Sequence, residues 1–286
     1  MKFVIPAVAA LGFIGSTLKA AAPAAAEKAD KSACTFFNPT PEKLLRELAT
    51  DRPDATESSF KVDAGHVQIE MDFGNLTKNR LAGGRTTAWE LAPFNLRLGM
   101  MQNLELGVFV TPWRRETENP RVERSKWLNG FCETTFRGKL NLGGNEGGPF
   151  AWGLLADGTP LSETGGFSNG KCEGAYTLPV SFDLGGGWEA EAMTFIEARY
   201  TGGGDYLAVW GNTFTAGHEI TEKLGGFLEL TSSAGDGAHV ATFNLGLKYR
   251  PSRDVQLDGG VNLGISRSAP DMQFFVGISL PFDQST

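Results

Sequence analysis

From His66 to Phe73 the chain alternates without exception. Val67, Ile69, Met71 and Phe73 are apolar, and His66, Gln68, Glu70 and Asp72 between them are polar. Successive side chains of a strand point to opposite faces, so this stretch is a strand with one apolar and one wet face. The same pattern recurs to the C-terminus. It predicts twelve strands, at 64–74, 84–98, 103–112, 131–142, 148–159, 174–184, 187–201, 205–217, 224–234, 238–250, 255–267 and 272–282. In the second strand the apolar face passes from Thr87, Trp89 and Leu91 to Phe94, Leu96 and Leu98. That change of parity beside Pro93 is the mark of a β-bulge. The eighth candidate is ambiguous, with both faces partly apolar.

The connections alternate as well. One set is short: 99–102, 143–147, 185–187, 218–223 and 251–254. The other includes long polar members at 75–83, 113–130 and 160–173. Outer-membrane barrels have short periplasmic turns and longer extracellular loops, and an even strand count puts both ends of the sheet on the short-turn side. A soluble β-sandwich also alternates, but its strands average about 5–6 residues. The strands here are longer, and their polar faces are dense in charge. Trp188 and Tyr200 cap one strand, twelve positions apart. At a barrel tilt that places them roughly 30 Å apart along the membrane normal, close to the spacing of two aromatic girdles. The expected fold is therefore all-β: a closed antiparallel transmembrane β-barrel of about twelve strands.

Residues 1–26 read as a secretory signal, with Lys2, an apolar run from Phe3 to Thr17, and small residues Ala24, Ala25 and Ala26 before Glu27. Residues 27–59 are expected to form a periplasmic N-terminal segment, and 60–286 the barrel. Thr40 as N-cap, Pro41 in the first turn and the stripe Leu44, Leu45 and Leu48 predict a short N-terminal helix ending near Ala49. Net charge is −7, and −9 once Lys2 and Lys19 leave with the signal, which argues against a nucleic-acid partner. The expected partners are outer-membrane lipid, the barrel-assembly machinery and a small-molecule solute.

Strand parity turns a set of charged residues towards the lumen. The acids are Glu70, Asp72, Glu90, Glu105, Glu133, Asp157, Asp183, Glu189, Glu191, Glu197, Glu229 and Asp258. The bases are Arg97, Arg137, Lys139, Arg199, Lys248 and Arg250. Buried charge without water or a partner is very costly, so such a lumen is either hydrated or cross-linked by ion pairs. Residues 50–59 are too polar to face lipid and lack alternation. We expect residues 40–59 to fold into or across the periplasmic mouth. Arg52 would then pair with lumen acids, and Asp51, Asp54 and Glu57 with bases such as Arg97 or Arg250.

Little else in the sequence carries chemistry. His66 and His218 fall at the short-turn end and His239 at the loop end, so no shared catalytic site with a serine is expected. Three His and three Cys offer no zinc spacing. The glycine runs at strand ends read as turns, and no cofactor is expected. Cys132 and Cys172 both fall at the loop end and are candidates for a disulfide in an oxidising compartment, leaving Cys34 over.

Several phrases resemble a known family. Thr50 to Ser58 and Ala64 to Glu70 look like the opening of the outer-membrane barrels associated with the meta-cleavage pathway of phenol degradation. Ala92 to Gly99, Thr215 to Thr221 and Val255 to Gly264 are similar to its later segments. The resemblance covers roughly residues 40 to 282. The chain departs from the family at its end, where Asp283 to Thr286 follow the expected terminal Phe282. The resemblance implies a transporter of small solutes, aromatic or other hydrophobic compounds among them, and no catalytic residue. The alternatives are a sealed structural or adhesive barrel acting through its outer loops and, more weakly, a barrel enzyme.

Overall fold

The computed structural model describes residues 30–81, 84–120, 125–160, 163–167, 170–201 and 204–282. The expected signal and the tail after Phe282 lie outside the described residues. Twelve strands run through the rest. They are β1 (Val67–Leu81), β2 (Gly84–Leu91 and Phe94–Gly99), β3 (Leu104–Thr111 and Trp113–Pro120), β4 (Lys126–Gly130 and Glu133–Gly143), β5 (Phe150–Thr159) and β6 (Glu173–Gly185). β7 (Trp188–Tyr200), β8 (Tyr206–Thr221), β9 (Leu224–Gly235), β10 (Ala238–Ser252), β11 (Val255–Gly264) and β12 (Met272–Pro281) follow. Each strand pairs antiparallel with the next, and β12 returns to β1 from Gln68↔Pro281 to Lys78↔Met272. The sheet closes on itself, which leaves the barrel wall no free edge.

The barrel has its apolar surface outside and its polar core inside. Phe182, Trp188, Phe214, Leu228, Leu247 and Val276 are exposed on the outer face, while Arg97, Lys139, Glu70, Glu105 and Glu229 are enclosed. That inversion suits lipid outside and a polar lumen inside. It also resolves the eighth strand. Tyr206, Trp210 and Phe214 face out, and Val209, Thr213 and Thr215 face in.

Three expectations change. First, 75–83 and 113–130 are not loops through most of their length. β1 continues past Asn75 against β2, Trp113–Pro120 pairs with β2, and Lys126–Gly130 pairs in turn with Trp113–Pro120. The four strands rise beyond the barrel as a twisted extension. Hydrophilic residues conceal it in the sequence, because a strand wet on both faces has no apolar alternation. Second, the parity change at Ala92–Pro93 is present, with Ala92 left-handed at φ 51°, but β2 gains no residue there. Its register with β1 is the same on both sides, because β1 and β3 change phase at the same level. The register shift falls instead between β1 and β12, at Asp72/Gly74. Third, the N-terminal helix is only a single 3-10 turn, Glu42–Leu44, without a side-chain cap. At Leu45 the backbone becomes extended. Arg46 explains why: its amide and guanidinium both bind Asp63, and the guanidinium also reaches the carbonyls of Lys61 and Asn145. A helix continuing past Leu45 would carry Arg46 away from these partners.

Candidate functional site: a strap across the lumen

Residues 49–62 have no regular secondary structure and run across the barrel interior. An irregular segment cannot satisfy its own backbone, so its N–H and C=O groups need other partners. Wall carboxylates accept its amides: Glu70 from Asp51, Glu229 from Ala55 and Thr56, and Glu105 from Val62. Wall bases and amides donate to its carbonyls: Arg97 to Ala49 and Phe60, Asn141 to Ser59, and Gln256 to Arg52. Ser181 and Met193 accept from the amides of Ser59 and Glu57. Thr56 also shares a hydrogen bond with Thr213 of β8, at 2.7 Å, so these bonds and the ion pairs below tie the strap to nine strands: β1 to β4, β6 to β9, and β11. The acid excess of the lumen is thus partly a supply of acceptors for an N–H-rich strap.

The ion pairs form three groups. Arg97, completely buried, donates to Glu70 at 2.6 Å and to Glu105 at 2.8 Å, and lies 3.4 Å from Asp51. Lys139, also completely buried, donates to both oxygens of Asp51 at 2.5 and 2.7 Å. Burial opposes ionisation of Asp51, but Arg97 and Lys139 together hold its carboxyl below the usual range. Arg137 binds Asp157 at 2.7 Å, pairs with Glu57, and lies 4.5 Å over the Phe109 ring. Arg52 spans Asp258, at 2.6 Å, and Asp72. Each charge has an opposite partner, the condition under which burying it is tolerable.

Two carboxylates differ. Glu229, 1% exposed, is held only by neutral donors among the described residues: the amides of Ala55 and Thr56, the hydroxyls of Thr56 and Thr215, and the Asn244 amide. Asp54 forms no ion pair among the described residues, and its Oδ2 is buried without a hydrogen-bond partner there. Burial pushes its carboxyl up to about 7, and Glu229 adds to the rise against the pull of Lys248.

The remaining expected lumen residues make no hydrogen bond or ion pair with the strap among the described residues. Glu189 meets Lys248 at 3.1 Å, Glu191 accepts from Ser181, Glu197 pairs with Arg199 on its own strand, and Glu90 pairs with Arg114 in the extension. Arg250, expected to meet the strap, instead donates to Gln256. Its strand carries it to the short-turn end, past the reach of Asp51, Asp54 and Glu57. The expected disulfide is absent: Cys132 and Cys172 are free thiols. Cys132 precedes the lower half of β4 and Cys172 precedes β6, with β5 between them. Two strand spacings are roughly 9–10 Å, beyond what a disulfide spans. His66 binds the Thr40 carbonyl and His218 stacks on Trp188. His239 does meet a serine, Ser232, at 3.0 Å. No described residue orients its other ring nitrogen.

Sequence reasoning missed the inward glycines. A Cβ on Gly277 would collide with the Arg52 guanidinium, and one on Gly211 would collide with the Phe195 ring. Their bare backbone lets those side chains lie against the wall. Phe109, Phe195, Phe227 and Phe275 face inward by strand parity, so the lumen is not lined by charge alone. Space remains around the strap at the short-turn end. One cavity of about 630 Å³ is lined by Leu45, Leu48, Lys61, Gln68 and Arg253. Another, about 470 Å³, is lined by Phe60, Ser181, Glu189 and Glu191.

A closed barrel with an apolar outer face and a charged, strap-filled lumen defines a transmembrane β-barrel of the outer-membrane type. The pattern defining the family described as "Putative MetA-pathway of phenol degradation" matches residues 50–282, and the chain belongs to that family. Among solved structures, an outer-membrane channel from Pseudomonas putida F1 is similar with a TM-score of 0.59 at 10% identity, over 81% of this chain and 99% of that one. The toluene transporter TbuX from Ralstonia pickettii aligns over 76% of this chain and 87% of its own, with a TM-score of 0.44 at 6% identity. No curated protein matches in sequence.

Proposed function

We propose that this protein is an outer-membrane channel for small solutes, with the strap as its constriction. Three features support the reading: family membership, the closed barrel, and above all a polar lumen whose charges are spent on holding one irregular segment. The short-turn end would face the periplasm and the β1–β4 extension the exterior. The inward phenylalanines and the family's link to phenol degradation favour aromatic or other hydrophobic compounds as cargo. No residue is assigned a catalytic role. The density of bonds from the strap to nine strands favours a second reading, a sealed barrel that works through its outer face.

Planar-bilayer recording separates the two. The channel reading expects a small conductance from the intact protein. It expects a larger one from a form lacking residues 40–59, and from the Asp51→Ala/Arg52→Ala/Asp54→Ala variant. Both must still shift in mobility when boiled, as a folded barrel does. Folded deletion protein with unchanged conductance would show that the strap is no constriction. Absence of current from every form would support the sealed barrel.

A further inference from the structure

The extension formed by β1–β4 has two chemically different faces. The face continuous with the lumen carries Glu90, Glu116 and Glu118, with Arg114 paired to the first two. The face continuous with the lipid-facing wall is basic. Strand parity sets Lys78 one outward step beyond Leu76, and Arg80 one step beyond that. Thr87 and Arg85 stand opposite them on β2, and Arg115 stands beside Trp89 on β3. Lys78, Arg80, Arg85 and Arg115 are all exposed. Directly below them the outer face is apolar: Trp89, Leu91, Phe73 and Phe274 are exposed large hydrophobics. At ~3.4 Å per residue, Lys78 lies about 7 Å and Arg80 about 14 Å beyond Leu76 along the strand, past the apolar belt of the outer face.

Two details point to a ligand. Arg80 and Arg85 are directly cross-strand, and like charges so placed destabilise a sheet unless something neutralises them. Arg80 meets Asp271 at 3.8 Å with both side chains exposed, and no described residue forms an ion pair with Lys78 or Arg85. A cavity of about 380 Å³ opens among Lys78, Arg80, Arg85, Thr87, Asp271 and Met272.

We propose that this face binds the phosphate groups of an outer-leaflet lipid, whose acyl chains lie along Trp89, Leu76 and Phe274. Arginine suits the role, because its guanidinium offers a planar fork to phosphate oxygens. Basic clusters flanking a membrane-embedded surface attract anionic headgroups electrostatically. The proposal rests on outer-membrane placement but not on conduction.

The test uses the full-length barrel in phosphatidylcholine nanodiscs, titrated with bis-phosphorylated lipid A and read by native mass spectrometry. The wild type should retain the lipid. Lys78→Gln/Arg80→Gln/Arg85→Gln should bind it at least tenfold more weakly, with unchanged heat-shift and unchanged conductance. Should the triple variant fail to fold, Arg80→Gln alone is used, and it should weaken binding severalfold. Dephosphorylated lipid A should fail to bind. Equal binding of dephosphorylated lipid, or full binding by the folded variant, would overturn the proposal. Displacement by millimolar inorganic phosphate would overturn the lipid assignment in favour of soluble phosphate. None of these outcomes alters the conductance result, so the two readings fail separately.

Discussion

Lys139 of β4 and Asp51 of the strap are joined through both carboxylate oxygens, at 2.5 and 2.7 Å, and Lys139 has no solvent exposure. Removing one member of a buried pair strands the other, at a cost of about 3–5 kcal/mol. Asp51→Ala should therefore lower the unfolding midpoint in detergent and free the strap to proteolysis. Asp51→Ala/Lys139→Met, which leaves no unpaired lysine, should recover much of the loss. Equal midpoints for the wild type and Asp51→Ala would refute this account.

Gly277 of β12 lies under the Arg52 guanidinium. Gly277→Ala should displace Arg52 from Asp72 and Asp258. Forced overpacking of this kind costs about 1–3 kcal/mol. Faster amide exchange at residues 50–54 is the expected sign, with β12 itself still protected.

The strap should also respond to pH through Asp54. Its carboxyl is raised from 3.8 to about 7. An acid with a raised folded value binds its proton more tightly when folded, so its contribution to stability falls as pH climbs from about 4 to about 7 and is flat above. Current noise from strap motion should increase between about pH 4 and 7, and Asp54→Asn should remove that dependence. Asp51 acts in the opposite sense. Its carboxyl is lowered, so its contribution is lost only in stronger acid.

The cysteines test the topology. Cys172 is exposed, Cys132 half-buried and Cys34 buried. A membrane-impermeant maleimide applied to intact cells should label Cys172 first and leave Cys34 unmodified. Protein recovered from the membrane with Cys132 and Cys172 linked would contradict the structure.

Selectivity should follow the strap as well. Its removal leaves Glu70, Asp72, Glu105, Asp157, Glu229 and Asp258 against Arg97, Arg137 and Lys139. The deletion form should then prefer cations, most strongly at low salt where screening is weak. A reversal potential showing anion preference would count against this assignment of the wall.

The strands and their two faces were legible in the sequence because each is a local property. A period of two is written into Val67, Ile69 and Met71 whatever their partners, and it marks Glu70, Arg97, Lys139 and Glu229 as inward. The polarity of residues 50–59 likewise showed that they could not face lipid. Local pattern fails where polar residues build strands on their own, as from Asn75 to Arg80 and Trp113 to Pro120. It fails again where a distant partner overrules propensity, as Asp63 does by drawing Arg46 out of a leucine-striped helix. Which lumen charges would meet was decided only by the tertiary structure. Parity says that Arg97 and Arg250 both face inward. The height of each residue on its tilted strand puts Arg97 against Asp51 and leaves Arg250 at the rim. Closure of the barrel sets those heights, through the register of all twelve strands at once.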